Sequence, residues 1–328
     1  MKEVFIYLFV KDLTIPLNLM KAEALENRMP SNHPKLNDLK LFIKTLRSGY
    51  NGERNINYYL GQIPPKRYLI FHDLRLPYGK GYFQIDVLLL SPRGILMIDG
   101  KNHSGKLTIE KNQMIQDYLG NRVIYENPIE QAHRHNLLLT YFLEKHTIPP
   151  VPIDSLIAIC KSSTEVCISP EYTVAEKKVC RVSDLLRKID GFYHQHNKNI
   201  LDHKTIEKIK KLLIKDHTPL ITDLLQKFAI HKTDIITGVQ CPKCLQFAMK
   251  YKRKIWLCPT CQFISQDAYI DAIKAYFFLY APSFTNMEIR TFLHLPSTRQ
   301  TAYFISSLNF PFTGATKGRI YYQPDNYL

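Results

Sequence analysis

Apolar and polar positions fall into two kinds of pattern along this chain. Short apolar runs at Arg67–Leu74, Tyr82–Leu90, Ile95–Lys101, Gly105–Ile109 and Ile153–Cys160 predict strands, with a shorter one at Val179–Val182. Helical spacing predominates elsewhere. Residues 18–50 are polar and helix-prone, broken by Pro30 and Pro34, and Glu53–Leu60 extends the helical pattern to Gly61 and Pro64-Pro65. Asn127-Pro128 closes a loop before a helix over Ile129–His146, with Leu138, Leu139 and Phe142 apolar. From Ser183 to His231 the pattern is helical and basic. Ile206, Ile209, Leu212 and Leu213 lie three and four apart, which predicts an amphipathic helix with a solvated lysine face. Strands interleaved with helices predict an α/β domain with a mixed sheet flanked by helices.

Gln84–Lys101 carries the densest chemistry. Two apolar runs flank Ser91-Pro92-Arg93-Gly94, a type I turn signature. With Pro92-Arg93 as a two-residue loop, Asp86 lies opposite Asp99 and Gln84 opposite Lys101. All four then share one face. Facing carboxylates repel unless a cation sits between them, and Mg²⁺ takes such hard oxygen ligands. A lysine beside them can orient a water or stabilise developing negative charge. A three-residue loop with Gly94 as a left-handed bulge would instead set Asp86 against Gly100. Asp99 interrupts an apolar run, Ile95–Ile98, where a carboxylate without a partner or metal is costly to bury.

Further along, Cys241-Pro-Lys-Cys244 and Cys258-Pro-Thr-Cys261 are two CxxC knuckles around a short hairpin ending in Ile255-Trp256-Leu257. Four thiolates in paired knuckles suit one tetrahedral structural Zn²⁺ and leave no open position. Lys250, Lys252, Arg253 and Lys254 accompany an exposed-looking Tyr251, so the ribbon either binds nucleic acid or is a structural clip. After it, Asp267–Tyr280 reads as a helix. Thr285–Glu288 and Ser297–Gln300 are capping-box signatures opening helices through Leu293 and Leu308. The glycine-rich segment Gly314–Tyr322 then feeds a strand. This order predicts a winged-helix-like module, with Arg299 and Gln300 early in the recognition helix and Lys317 and Arg319 on the wing.

Composition adds a partner. The 328 residues include 44 Lys+Arg against 29 Asp+Glu, so 44 − 29 gives a net charge of +15. That surplus points to a polyanion. No basic amphipathic anchor is evident, and Val4–Val10 is too short to span a bilayer, so nucleic acid is expected rather than a membrane. The same run lacks a signal-peptide cleavage pattern, which predicts a cytoplasmic protein. Seven cysteines without a secretion signal argue against a disulfide framework, and Cys160, Cys167, Cys180 and His103 form no recognisable constellation. His133 and His135 are two apart and diverge on a helix, so neither joins the candidate set.

These motifs carry a resemblance. Gly52-Glu53, Gln84-Ile85-Asp86, Gly94-Ile95, Asp99-Gly100-Lys101-Asn102, Gly105, and Asn127-Pro128 with Gln131 resemble the PD-(D/E)xK nuclease superfamily, and within it the nuclease-related domain (NERD) family, over about residues 45–165. Asp99 stands where the family more often has Glu, shortening that arm by one methylene. The tail resembles the one following the ribbon in Bacillus-type members. The resemblance implies a restriction-endonuclease-like fold with Mg²⁺ or Mn²⁺ held by Asp86, Asp99 and the Gly100 carbonyl. It also implies Lys101 at the attacking water or phosphate, Glu53 completing the metal shell, Gln131 orienting Lys101 or the phosphate, and Gln84 in support.

The sequence therefore predicts a helical lead-in over 1–44, a nuclease-related domain over 45–182 and a helical connector over 183–236. A zinc ribbon over 237–264 and a winged-helix-like module over 265–328 follow. The expected function is metal-dependent phosphodiester hydrolysis, on DNA rather than RNA, with no small-molecule cofactor. The alternative is a non-catalytic DNA-binding or regulatory protein on the same scaffold. A third reading, an RNA-processing factor, would stack bases on Tyr251 and Trp256.

Overall fold

A computed structural model describes residues 9–324, except the side chain at position 317; residues 4–8 of the opening apolar run lie outside them. In chain order, β1 (Phe9–Lys11) precedes α1 (Leu17–Asn27) and α2 (Leu36–Leu60). Six strands follow: β2 (Leu69–Tyr78), β3 (Gly81–Ser91), β4 (Gly94–Lys101), β5 (Lys106–Ile109), β6 (Gln113–Tyr118) and β7 (Asn121–Glu126). Next come α3 (Pro128–Lys145), β8 (Ile153–Ile159), β9 (Glu165–Ile168), α4 (Thr173–Lys178) and β10 (Val179–Arg181). Helices α5 (Leu185–Gln195), α6 (His203–Asp216) and α7 (Leu224–Phe228) lead to β11 (Lys250–Lys252), β12 (Ile255–Leu257) and β13 (Ile264–Ser265). The chain closes with α8 (Tyr269–Leu279), β14 (Ser283–Thr285), α9 (Asn286–Leu293), α10 (Thr298–Ser306), β15 (Phe312–Thr313) and β16 (Ile320–Tyr322). Two compact units result, one from residues 9–15 and 45–220, the other from 16–44 and 221–324.

The first unit is built on a six-stranded mixed sheet of order β1-β2-β3-β4-β8-β10. Strand β3 runs antiparallel to both β2 and β4, β1 pairs parallel with β2, and β8 and β10 continue parallel to β4. Their near-continuous apolar runs follow from burial on both faces. On one face Phe71, Leu74, Leu88 and Met97 meet Leu139 and Phe142 of α3 and Ile209 and Leu213 of α6. On the other, Ile70, Val87, Leu89 and Ile98 meet Ile56 and Leu60 of α2 and Leu185, Ile189 and Phe192 of α5. Helices α5 and α6, within the stretch expected as a connector, thus bury apolar faces against this sheet. A second sheet, β7-β6-β5-β9, adds strands β6, β7 and β9 that the apolar pattern did not reveal.

The β3–β4 turn is the expected two-residue loop, with Ser91 paired to Gly94 and the ladder running to Val87 opposite Ile98. There it stops, one residue before Asp86 and Asp99. The β2–β3 ladder is also interrupted at this level. His72 pairs with Val87 and Leu74 with Ile85, and between them side-chain alternation slips by one residue in both strands. Asp73 and Asp86 occupy the slips, Asp73 with φ +48°. A non-glycine residue in that region is sterically strained.

In the second unit the ribbon strands, α8, α9, α10 and the sheet β14-β16-β15 share one core around Trp256, Phe284, Phe292 and Phe304. The capping box at Thr285 and Glu288 forms as expected, and Ser297 accepts from the Gln300 amide to open α10. Arg28 of α1 is buried, donates to the carbonyls of Ile236 and Gly238, and stacks on Phe247 and Phe292. Among the described residues, no helix is long and apolar enough to cross a membrane.

Candidate functional site

Where β3 and β4 part, the free Gly100 amide donates to Asp86 Oδ2 at 3.0 Å. A carboxylate thereby fills the place of a ladder carbonyl. Glycine at 100 leaves room for Ile56 of α2, whose Cδ1 would lie 2.9 Å from a Cβ there and would have to shift. Gly52 serves the same close approach one turn earlier on α2, where a Cβ would lie 2.9 Å from that of Asn102. Asn102 secures the contact by donating to the Ser48 carbonyl at 2.7 Å. This packing brings Glu53 to the end of β3. Lys101 Nζ donates to Gln131 Oε1 at 3.0 Å and lies 2.7 Å from Asp99 Oδ2. That ion pair is close but lacks hydrogen-bond angles, so the buried Asp99 Oδ2 has no hydrogen bond among the described residues.

Gln131 is placed by the Asn-Pro that precedes it. Asn127 caps α3 by accepting from the amides of Ile129 and Glu130. Its amide group donates to the carbonyls of Glu110 and Lys111 and to the Tyr172 hydroxyl. Both ends of the side chain are used, and Gln131 follows one turn later, against Lys101. Gln84, expected in support, donates instead to Asp73 Oδ1 at 2.9 Å.

The acids are desolvated and crowded. Burial, then neighbouring Asp99, pushes the Asp86 carboxyl up to about 7, against the pull of the Gly100 amide and Lys101. Burial, then Asp86 and Asp73, pushes Glu53 up to about 8, with Lys11 opposing. The donors are hard oxygens, they repel one another, and one buried carboxylate oxygen lacks a hydrogen bond. Such a set fits a divalent cation of the Mg²⁺ class.

Two neighbours, Asp73 and Lys11, escaped the sequence reading, and a third, His135, is one that reading left out of the candidate set. Asp73 faces Asp86 across β2 and β3. Lys11 of β1 donates to the His72 carbonyl at 2.9 Å and carries charge toward Glu53 and Asp73. His135 lies one turn beyond Gln131 on α3, its ring 6.1 Å from Phe83; burial lowers its pKa while Asp99 raises it. The four-residue spacing from Gln131 was the available signal for His135. Nothing local announces Lys11.

The second unit holds a different cluster. The sulfurs of Cys241, Cys244, Cys258 and Cys261 all lie within 4.8 Å of one another, with Cys241–Cys261 and Cys244–Cys258 at 3.6 Å. Tetrahedral Zn–S bonds of about 2.3 Å would separate sulfurs by about 3.8 Å. The two knuckles are built alike. Leu245 and Gln262 have φ of +61° and +57°, and their amides donate to the carbonyls of Cys241 and Cys258. The Cys241 and Cys258 amides in turn donate to the carbonyls of Gln246 and Phe263. Although burial opposes ionisation, the amides of Cys261 and Thr260 help hold the Cys258 thiol down at about 6. These four cysteines can hold a zinc ion.

Lys252, Arg253, Lys254, Arg299 and Gln300 are exposed. Arg319 is partly buried and stacks on Phe312, and the side chain of Lys317 lies outside the described residues. Tyr251 and Trp256 do not present free rings. Trp256 is only 1% exposed, and Tyr251 packs on Trp256 and Phe304 at 5.2 and 5.3 Å. This corrects the expectation that they stack on bases.

The first unit is a mixed α/β fold with two acids and a lysine gathered where two central strands part. Residues 48–160 match the family model described as NERD, nuclease-related domain. No curated protein and no solved structure matches the chain.

Proposed function

We propose that this protein is a metal-dependent nuclease that hydrolyses phosphodiester bonds, of DNA in preference to RNA. One observation carries the reading: Asp86, Asp99, Lys101 and Gln131 meet at the parting of β3 and β4, with Glu53 beside them on α2. Asp86, Asp99 and the Gly100 carbonyl would hold Mg²⁺ or Mn²⁺, with Glu53 as a further ligand directly or through water. When bound, that cation neutralises phosphate charge and acidifies a water.

The chain's own residues do the rest. Lys101 Nζ has three N–H groups. One goes to Gln131, and Nζ lies 2.7 Å from Asp99 Oδ2 without hydrogen-bond geometry, which leaves N–H capacity for a phosphate oxygen or the attacking water. Gln131 holds the ammonium against the capped first turn of α3, and Gln84 supports the site by holding Asp73. In the second unit, one zinc at the four cysteines acts as a structural clip, and the helices and hairpin form a winged-helix-like DNA-binding module. Lys252, Arg253, Lys254, Arg299, Gln300, Lys317 and Arg319 supply its cations and polar groups.

A second reading, a non-catalytic DNA-binding protein on the same scaffold, is favoured by the short Asp99 side chain and its direct pairing with Lys101. Cleavage of plasmid and linear DNA with Mg²⁺ or Mn²⁺ separates the two. Nicking that vanishes with EDTA and in Asp86→Ala is expected. Tight, salt-sensitive binding without cleavage would establish the scaffold reading instead.

A further inference from the structure

Ribbon and helical module are joined through aromatic contacts. Tyr251 and Trp256 of the hairpin pack on Phe304 of α10, which also takes Tyr269 at 4.9 Å. With the inner side of α10 anchored by Thr301, Phe304 and Ile305, helical geometry turns Arg299, Tyr303 and Ser306 outward in one line. Gln300 falls to the flank. Tyr303 remains 54% exposed, and Lys254 Nζ sits over its ring at 5.3 Å.

The hairpin tip is unusual. Lys252 pairs with Ile255, leaving Arg253-Lys254 as a two-residue loop with φ of +51° and +69°. Positive φ at both positions defines a type I′ turn, which favours Asn-Gly. Two long cationic residues occupy it despite the steric cost. No Asp or Glu occurs in residues 237–266 or 289–324, so no carboxylate of these segments competes for those cations.

Resting on the nucleic-acid reading above, we infer that the hairpin tip and α10 form one continuous surface centred on Tyr303, which grips a single stretch of duplex DNA. The outward line of α10 enters the major groove. Arg253 and Lys254 reach the flanking phosphates, and the Tyr303 hydroxyl donates to a backbone oxygen while its ring holds the Lys254 ammonium beside the groove. The ribbon is therefore part of the reading head rather than a separate binding module.

Fluorescence anisotropy of the full zinc-loaded chain on a labelled DNA duplex, across a KCl series, tests this. The double substitution Arg253→Asn with Lys254→Gly installs the pair the turn prefers, so thermal stability should hold or rise. Affinity should nevertheless fall about tenfold, and the salt slope should shrink by about two, as expected for two lost phosphate contacts. Tyr303→Phe should weaken binding several-fold. Full affinity and slope in the double variant, alongside a loss in Arg299→Ala, would overturn the joint surface while leaving DNA binding by α10 standing. Absence of salt-dependent binding by the unaltered chain would remove both. Equal affinity for an RNA duplex would overturn the assignment to DNA, since the narrow A-form major groove excludes a helix.

Discussion

The two chemical centres of this chain solve opposite problems. In the ribbon, two short knuckles with the same backbone bonds bring four sulfurs together, and few long-range contacts are needed to set the ligand geometry. Four ligands close the site, which suits structure and leaves no room for a substrate. In the first unit, Glu53, Asp86, Asp99, Lys101 and Gln131 come from α2, β3, β4 and α3. They converge where Gly52 and Gly100 let α2 press closely on the end of β4. The resulting cluster is crowded with carboxylates held above their ordinary range. A closed site is stabilised by its metal. The acid site, by contrast, is held in tension by its own carboxylates.

Removing a ligand from each centre should have very different consequences. Cys244→Ser is expected to have the larger effect on folding, because structural zinc contributes on the order of 10 kcal/mol to small zinc modules. Zinc content should fall from one per chain to none. Emission from the single tryptophan, Trp256, should shift red as the ribbon core opens. Retained zinc with native emission would remove Cys244 from the ligand set. At the other centre, Asp86→Asn should lower cleavage by about 10²–10³-fold while preserving an acceptor for the Gly100 amide. Without metal it should raise the melting temperature by about 2–4 °C, since a buried carboxylate no longer repels its neighbours. A lower melting temperature with little change in cleavage would make Asp86 structural and erase the contrast.

The sequence revealed the ribbon more fully than the acid site, for a physical reason. Spacing alone carries a knuckle, and the turn after Ser91 fixed the β3–β4 register correctly. Asp73 was hidden because its approach to Asp86 depends on a slip in two strands at once, which breaks the period-two pattern used to read them. Lys11 sits in a three-residue strand whose pairing with β2 is itself irregular. Strands β6, β7 and β9 lack long apolar runs because their sheet is narrow, and β7 is largely exposed. Tyr251 looked exposed among lysines, but alternate hairpin residues face opposite ways and its ring turns inward.

The tension at the acid site has a pH signature. Asp86 and Glu53 sit near 7 and 8, whereas unfolded carboxyls titrate near 4. The folded state therefore holds more protons between those values. The stabilisation these groups contribute is complete below about pH 4 and is lost as pH rises through about 7 to 8. Metal-free protein should melt at progressively lower temperature from pH 6 to pH 9, and Mn²⁺ should restore most of that loss by favouring the ionised acids. Melting curves by circular dichroism with and without Mn²⁺ measure both effects. A Mn²⁺ response that persists undiminished in Asp86→Asn would locate the cation elsewhere.

His72 supplies the control with the opposite sign and the smallest expected effect. It is fully buried one residue from Asp73, stacks on Phe9, and neither ring nitrogen has a hydrogen-bond partner among the described residues. Burial, with Lys11 beside it, lowers its pKa to about 4. An unfolded histidine titrates near 6.5, so here the unfolded state holds the extra proton, and stability falls as pH drops through that window. His72→Leu replaces an unsatisfied polar ring with an apolar side chain that suits the same core. It should stabilise the protein by about 1 kcal/mol at pH 7 and by more at pH 5. Urea unfolding at the two pH values measures the gap between variant and parent. Because no cation relieves His72, Mn²⁺ should leave that gap unchanged while it offsets the acid-site loss. A gap that instead closes on adding Mn²⁺ would mean that His72 is energetically part of the acid cluster, and the strain around Asp73 would then belong to the metal site rather than to the strand pairing alone.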